Sequence, residues 1–477
     1  MVLAAGLILL AQAVTNEALF EALQSRHYTE ALRVAARLIE TQPEDPRLWT
    51  AKGLAYKGLG RTREGLAAFE NALKFGPRYL PALEGAAEMA YGLRSPIATR
   101  LLKRVLDLQP GNETAHAMSG VVAFEAGDCA GAVSHFEKSA HAIDGNEIAL
   151  SQFGFCLVST GRPLEAAAAF SRALDMNPSR AETRYNLGLA YFLGGDAGRA
   201  LSVLEPLREH SDFGSDVLNL MASAYLSEDR VREAIEALRR ATEVAPRDER
   251  NYLDLAVICM EHQAPDLALE MVSVGLKNIP DSPRLLATRG AIYATLSQPA
   301  KAEADFQLAR RLTPDELYST IGLSLLFRQT DELERAVAIL REKLRRLPDD
   351  PTLNYLLADA LLRSEPAATA ERSGEARSAL QRSVRAKPDF AKAHAELGKI
   401  YLQDGETDRG IRELRLAIRL DPKDRVALQQ LTVALFGLGQ VEDAKQLAAQ
   451  LREILQREHE DEKHRNSFRL AKLPPAR

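Results

Sequence analysis

A proline recurs through most of this chain at one interval, and that interval limits the folds open to it. Pro43, Pro77, Pro110, Pro178, Pro246, Pro280, Pro314, Pro348, Pro388 and Pro422 each follow an apolar stretch of helical period. The gaps are 34, 33, 68, 68, 34, 34, 34, 40 and 34 residues, and the two 68-residue gaps have Asp144 and Asp212 at their midpoints. Proline lacks the amide hydrogen that a helix interior needs, so a periodic proline is a periodic helix stop. Self-similarity at this spacing marks a stacked array, whose core grows by one layer per repeat instead of closing into a globule.

Other columns obey the same ruler. With the proline counted as position 32, position 20 is alanine in most repeats, among them Ala31, Ala98, Ala132, Ala166, Ala200, Ala234, Ala268, Ala302, Ala336, Ala376 and Ala444. Position 8 is Gly53, Gly120, Gly154, Gly188, Gly290 or Gly398, with Ala222, Ala256 and Ala358 elsewhere. Small residues at both places predict two helices that cross closely, because a bulky side chain would overpack the crossing. Position 24 is Phe69, Phe136, Phe170, Phe306 or an aliphatic residue, which fills the space beside that crossing. Gly60-Arg61, Gly127-Asp128, Gly161-Arg162 and Gly439-Gln440 predict a short turn inside the repeat. Ala and Leu are common and aromatics are only 6%, a composition that favours helix over strand.

Two stretches carry a resemblance that can be named, Tyr185-Asn186-Leu187-Gly188-Leu189-Ala190-Tyr191 and Ala166-Ala167-Ala168-Ala169-Phe170-Ser171-Arg172-Ala173-Leu174. The pattern is similar to the tetratricopeptide repeat family, in the manner of bacterial-type scaffold proteins built wholly from such repeats. The resemblance covers nearly the whole chain. It implies an all-α fold, a right-handed superhelical α-solenoid of about thirteen helix-turn-helix repeats. These fall near 12–45, 46–79, 80–112, 113–146, 147–180, 181–214, 215–248, 249–282, 283–316, 317–350, 351–390, 391–424 and 425–456, an array over 14–456. Repeat ten departs in having Gly322 away from position 8. Repeat eleven carries six extra residues around Arg363 to Gly374, expected to lengthen the loop between its helices. The last helix is expected to run on through Arg452 to Arg465, leaving 457–477 as a polar helical extension and tail.

The N-terminus reads differently. Val2 to Ala11 is almost wholly apolar, and Ala11-Gln12-Ala13 has the small-x-small form of a cleavage site, although no basic residue precedes it. Residues 1–13 are therefore read as a signal peptide, which would place the chain in a periplasmic or extracellular space; uncleaved, it would be cytoplasmic. No run reaches the length of a membrane span.

Chemistry is sparse. The formal net charge of −5 lacks the basic balance of a nucleic-acid binder. Cys129, Cys156 and Cys259 sit at unrelated spacings, which supports neither a metal site nor a disulfide framework and leaves them as small buried helix residues. No Gly-rich phosphate loop or dinucleotide fingerprint is present. His459 and His464, five apart, miss the i, i+4 spacing of a helical metal pair, and His116 and His394, both at position 4, read as surface or half-buried residues. Nothing calls for a cofactor or metal. With the repeats assigned, no stretch is long enough for a catalytic domain, so the chain reads as non-catalytic.

The resemblance implies that first helices line an inner, concave wall through positions 2, 5, 9, 12 and 13. In the middle repeats this selects Ala117, Val121, Phe124, Phe155, Val158, Tyr185, Leu189 and Phe192, then the more polar Asn219, then Leu253, Val257 and Met260. Such a wall suits a peptide or an amphipathic helix; the competing role for the same side chains is packing against the next helix. A Lys, Asn and Arg constellation of the kind that holds chaperone tails is missing. An asparagine ladder is broken, since position 6 reads Gln152, Asn186, Leu220, Asp254 and Thr288. The expected partner is another protein or peptide. The alternative is an accessory or regulatory arm for a separately encoded enzyme or a secretion or assembly complex.

Overall fold

The computed structural model describes residues 16–208, 214–363 and 370–467. The segment 1–13 read as a signal peptide lies outside them. Among the described residues there are helices and turns but no strands. The helices pair in sequence and divide into two compact units. The first holds the helices before residue 209 together with Ser223–Arg230: residues 16–24 with Tyr28–Thr41, Pro46–Gly58 with Thr62–Phe75, Leu80–Gly92 with Ile97–Leu108, Glu113–Glu125 with Cys129–Glu137, Glu147–Ser159 with Pro163–Met176, and Ala181–Leu193 with Ala197–Leu204. The second holds Gly214–Ala222 and the helices from Val231 onward. Its pairs are Glu249–Glu261 with Pro265–Asn278, Pro283–Thr295 with Pro299–Leu312, Tyr318–Gln329 with Leu333–Leu344, Pro351–Arg363 with Ala370–Ala386, Ala391–Gln403 with Thr407–Leu420, and Arg425–Gly437 with Val441–Ser467.

Among the described residues the turn inside each repeat is one motif. The residue at position 15 has positive φ, whether it is glycine (Gly60, Gly127, Gly161, Gly195, Gly405, Gly439) or not (Arg26, Arg94, Asp229, Gln263, Ser297, Asp331). The next amide donates back to the carbonyl five residues earlier, as in Arg61 to Tyr56 (2.9 Å), Arg162 to Leu157 (2.8 Å) and Glu332 to Phe327 (2.7 Å). This left-handed cap satisfies carbonyls that the helix end would otherwise orphan. Glycine marks it in the sequence at some repeats only; the hydrogen bond marks it at the others.

Packing explains the small-residue columns. Ala31, Ala132, Ala166, Ala200, Ala234, Ala268, Ala302, Ala376 and Ala444 are all fully buried. The position-24 phenylalanines Phe69, Phe136 and Phe170 are buried as well, at 1% exposure or less. Each presses on the position-8 glycine of its own repeat: a Cβ at Gly53 would meet the Phe69 ring at 2.7 Å, at Gly120 the Phe136 ring at 2.7 Å, and at Gly154 the Phe170 ring at 2.8 Å. Gly322, out of place on the sequence ruler, has a reason here. It faces the ring of Phe306 from the following repeat, while Gly290 faces it from its own, as Gly85 and Gly53 flank Phe69. The ring lies between two glycines, so the second glycine belongs to a position-6 column that only some repeats need.

A second column escaped the sequence because its residue types differ. The position-4 side chain donates to the carbonyl of the proline six residues earlier. Trp49 Nε1 reaches Pro43 O (2.7 Å), Arg184 Nη2 reaches Pro178 O (2.8 Å), Tyr252 Oη reaches Pro246 O (3.1 Å) and Asn354 Nδ2 reaches Pro348 O (2.8 Å). His116 Nε2 and His394 Nε2 do the same to Pro110 O (2.8 Å) and Pro388 O (3.0 Å). The proline carbonyl has left the helix and needs a partner where it is covered. The two histidines are therefore buried structural donors, at 5% exposure each, and not the surface or half-buried residues expected from the sequence.

Two further expectations are corrected. Cys129 and Cys156 form a disulfide, with Cα atoms 4.7 Å apart, joining the second helix of one pair to the first helix of the next. Repeat stacking brings them together across a separation that the sequence ruler did not flag. Cys259 is buried and free. The six extra residues of repeat eleven do not all enter a loop: the helix Ala370–Ala386 has 17 residues against the usual 14, and residues 364–369 lie outside the described part. The closing helix runs from Val441 to Ser467; the side chains of His459 and His464 are outside the described set.

Candidate protein-binding face

The best-formed face lies in the first unit, on the successive first helices Glu113–Glu125, Glu147–Ser159 and Ala181–Leu193. Their core-facing side is fixed by Ala115, Ala149, Leu150, Leu157 and Leu187, all buried. The 3.6-residue period then puts positions 9, 12 and 13 at the edge of that core-facing side. Ala117, Val121, Phe124 and Val158 are half-buried and rest against the core cluster. Phe155 is 52% exposed although it neighbours fully buried Cys156. Its ring meets Phe124 edge to face, with centroids 5.8 Å apart and planes at 88°. The structure thus brings Phe124 and Phe155 together from adjacent first helices and leaves one of the two rings open to solvent. Tyr185, Leu189 and Phe192 are half-buried on the next helix.

Polar atoms beside these rings are incompletely satisfied. Ser151 Oγ, Gln152 Oε1 and Glu147 Oε1, all on the helix that carries Phe155, are buried atoms with no hydrogen-bond partner among the described residues. The other carboxylate oxygen of Glu147 pairs with Arg180 Nη1 at 3.1 Å. A buried acceptor left without a donor costs free energy that an incoming group can recover. Apolar surface next to unspent polar atoms is the usual chemistry of a binding surface.

The remaining expected residues lie in the second unit and are described separately. Asn219 is half-buried, and its side-chain amide donates to Asn251 Oδ1 at 2.9 Å, so it joins a buried packing bond. Asn251 in turn donates to Ala241 O at 3.1 Å. Leu253 and Met260 are half-buried, while Val257 is 54% exposed.

Sequence reasoning passed over residues on the same ruler. Ile148, at position 2 of the Phe155 repeat, is 58% exposed, and position 9 is also an exposed aliphatic residue at Leu54, Leu325 and Val433. The signal was available, since these places were already assigned to the wall.

The titratable groups are structural. His116 Nδ1 and His135 Nδ1 lie 2.9 Å apart. Burial, with His116 beside it, pushes the His135 imidazole below its ordinary value. Among the described residues no group of three or more His, Cys, Asp or Glu side chains is placed to hold a metal ion, and no helix is long and apolar enough to cross a membrane.

Two family models, both described as tetratricopeptide repeat, match the chain. One covers residues 21–78, 157–209 and 367–425, and the other covers 225–292. Among curated proteins the chain is similar to the CTR9 homolog of Arabidopsis thaliana, 20% identical over 431 residues, which is 87% of this chain and 36% of that protein. It is also similar to the human protein O-mannosyl-transferase TMTC3, 22% identical over 417 residues, 86% of this chain and 39% of that protein. The chain therefore spans less than two fifths of the length of these relatives. Among solved structures it is similar to a tetratricopeptide repeat protein from Parabacteroides merdae. That likeness has a TM-score of 0.42 and 16% identity, and covers 61% of this chain and 98% of the other.

Proposed function

Because the chain belongs to the tetratricopeptide repeat family, we propose that it is a non-catalytic scaffold that binds a peptide or an amphipathic helix of another protein on its first helices. The face is that of Phe124, Phe155, Val158, Tyr185, Leu189 and Phe192 in the first unit. The observation that carries the reading is the half-exposed Phe155, seated on Phe124 and flanked by buried Ser151 Oγ and Gln152 Oε1 without partners. An aromatic anchor with polar neighbours suits a partner that inserts apolar residues at helical spacing. Peptide-display selection against the full chain tests this. Selected binders should carry apolar residues at i, i+3, i+4 and i+7, and should lose roughly tenfold in affinity for Phe155→Asp combined with Phe192→Asp. Unchanged affinity in a folded variant sinks the face.

The proposal extends to location. The Cys129–Cys156 disulfide supports the exported alternative, since such bonds persist in oxidising compartments. The oxidation state of that pair in the native chain decides between export and the cytoplasm.

A further inference from the structure

The second helices of the second unit carry a charge pattern that the first-helix face does not use. The four second helices Pro299–Leu312, Leu333–Leu344 (with Arg345 and Arg346), Ala370–Ala386 and Thr407–Leu420 hold sixteen Lys and Arg against eight Asp and Glu. The whole chain has the opposite balance, −5. Position 29 is a cation in five consecutive repeats: Lys277, Arg311, Arg345, Arg385 and Arg419. All five are exposed. None forms a hydrogen bond or ion pair through its side chain among the described residues, although many other arginines of the chain do.

The backbone arrangement opens space beside this row. First helices of neighbouring repeats pack on one another, whereas second helices have a first helix between them and reach one another through exposed ion pairs such as Arg310–Glu342 and Arg341–Glu375. Clefts result. One of about 730 Å³ lies between Thr407–Leu420 and Val441–Ser467 and takes part of its floor from Arg425–Gly437. Leu416, Ile418, Leu431, Leu435 and Leu447 give it an apolar floor. Arg412, Arg415 and Arg419, at i, i+3 and i+7 on one helix face, make its wall. These three arginines also lack ion-pair partners among the described residues. Glu413, on the same helix, is held by His394 Nδ1 at 2.6 Å, and Asp443 lines the cleft as its other acid. A second cleft, about 620 Å³, also sets unpaired Arg311 and Arg345 beside apolar Leu323, Phe327 and Ile339, although Arg310 and Glu342 on its lining pair with each other at 3.4 Å.

We propose that this second-helix surface docks an acidic amphipathic helix of a partner protein, anchored in the cleft of Arg412, Arg415 and Arg419. The unpaired cations complement carboxylates, and the recessed floor accepts the apolar residues of the same helix. A bilayer plane does not reach a floor sunk between helices. The Arg412 cleft also has no aromatic side chain on its lining to stack a base. The site is separate from the Phe155 face and does not rest on it.

The test uses the full chain and a labelled synthetic peptide of about 18 residues, roughly five helical turns, with leucines on one face and glutamates on the other. Anisotropy titration should show binding that weakens with added salt, as exposed ion pairs require. The same residues in scrambled order, and the lysine-for-glutamate analogue, should bind poorly. Arg412→Ala, Arg415→Ala and Arg419→Ala together should weaken binding roughly tenfold, as three partly screened pairs would. The circular dichroism spectrum should stay unchanged, since the three side chains are exposed. Phe155→Asp with Phe192→Asp should leave this affinity as it is. Absence of peptide binding, or affinity indifferent to the three substitutions in a folded chain, overturns the proposal. So does arginine-dependent binding of a single-stranded oligonucleotide or of phosphatidylserine vesicles that exceeds the peptide's, or a loss of peptide affinity in the Phe155 variant.

Discussion

Replacing Gly85 by alanine isolates the packing rule that sets the repeat. At an open helical site the change stabilises a helix by about 1 kcal/mol, because glycine is the poorer helix former. Gly85 is not open. A Cβ there would meet the Phe69 ring, with Cε1 at 2.5 Å and Cε2 at 2.8 Å. The ring has little room to withdraw, because the backbone of Gly53 holds its other side, where a Cβ would stand 2.7 Å from Cε1. Phe69 is fully buried, so relief must come from shifting two helices. Overpacking of this kind costs about 1–3 kcal/mol. With the ring confined on both sides the upper half of that range applies, and after the helix gain the net loss is about 1–2 kcal/mol. In a repeat array such a cost stays with the affected repeat and its neighbours. Hydrogen exchange read by mass spectrometry is therefore the fitting assay. Amides of Pro46–Gly58, Thr62–Phe75 and Leu80–Gly92 should exchange roughly fivefold to thirtyfold faster, at about 1.4 kcal/mol per decade. Phe69→Leu in the same chain should restore part of the protection, because the smaller side chain makes room. Gly374→Ala, where nothing lies within 4 Å of the added Cβ, serves as the open-site control and should slow exchange in its own helix. If Gly85→Ala gains protection as Gly374→Ala does, the two-glycine account of the Phe69 site is refuted.

Two further outcomes follow from the buried donors and the disulfide. Burial alone would lower the His394 imidazole, but the hydrogen bonds to Glu413 and to the Pro388 carbonyl outweigh it and raise it above its ordinary value. Its contribution is therefore full below the unfolded value, about 6.5, and is lost as pH rises through the folded value. Protection of the Ala391–Gln403 amides, taken relative to their intrinsic base-catalysed exchange at each pH, should fall on that rise, and His394→Gln should remove the fall; protection that grows instead contradicts the assignment. Cys129→Ser opens a loop closed across a sequence separation of 27, worth about 3.5 kcal/mol in the chain-entropy account, and should lower the melting temperature of the first unit. Native chain denatured without reductant should label one thiol, Cys259; three labelled thiols exclude both the bond and the oxidising location it supports.

The fold was legible because its constraints are local and periodic. Proline at position 32 and alanine at position 20 each act through backbone sterics, which depend on residue type alone. The position-4 bond was not legible, because its fixed partner is a carbonyl and Trp49, His116, Arg184, Tyr252, Asn354 and His394 all serve as donors. Any side chain of sufficient reach with an N–H or O–H meets the requirement, so no single letter marks it. The disulfide was hidden for a different reason: 27 residues of separation become 4.7 Å only after two repeats stack. The face was legible as positions and not as exposure. The sequence ruler treats Asn219 and Phe155 alike, yet the amide of Asn219 is bound to Asn251 while the ring of Phe155 stands half in solvent. The cation column at position 29 could be read from the chain, but that its members are left unpaired could not.

The turn at position 15 bears on how the array comes apart. A left-handed backbone costs an ordinary residue about 1 kcal/mol that glycine does not incur. Gly60, Gly127, Gly161, Gly195, Gly405 and Gly439 avoid that cost, whereas Asp229, Gln263, Ser297 and Asp331 bear it in four consecutive repeats. Arg26 and Arg94 bear it singly, so among the described residues the strained joints form an unbroken run at these four repeats. Fraying that begins at the ends, as open-ended stacks otherwise do, meets competition from opening within that run. A partner that clamps these repeats would shift the balance back towards the ends, so that occupancy alone could select where the chain first yields to heat or to a protease.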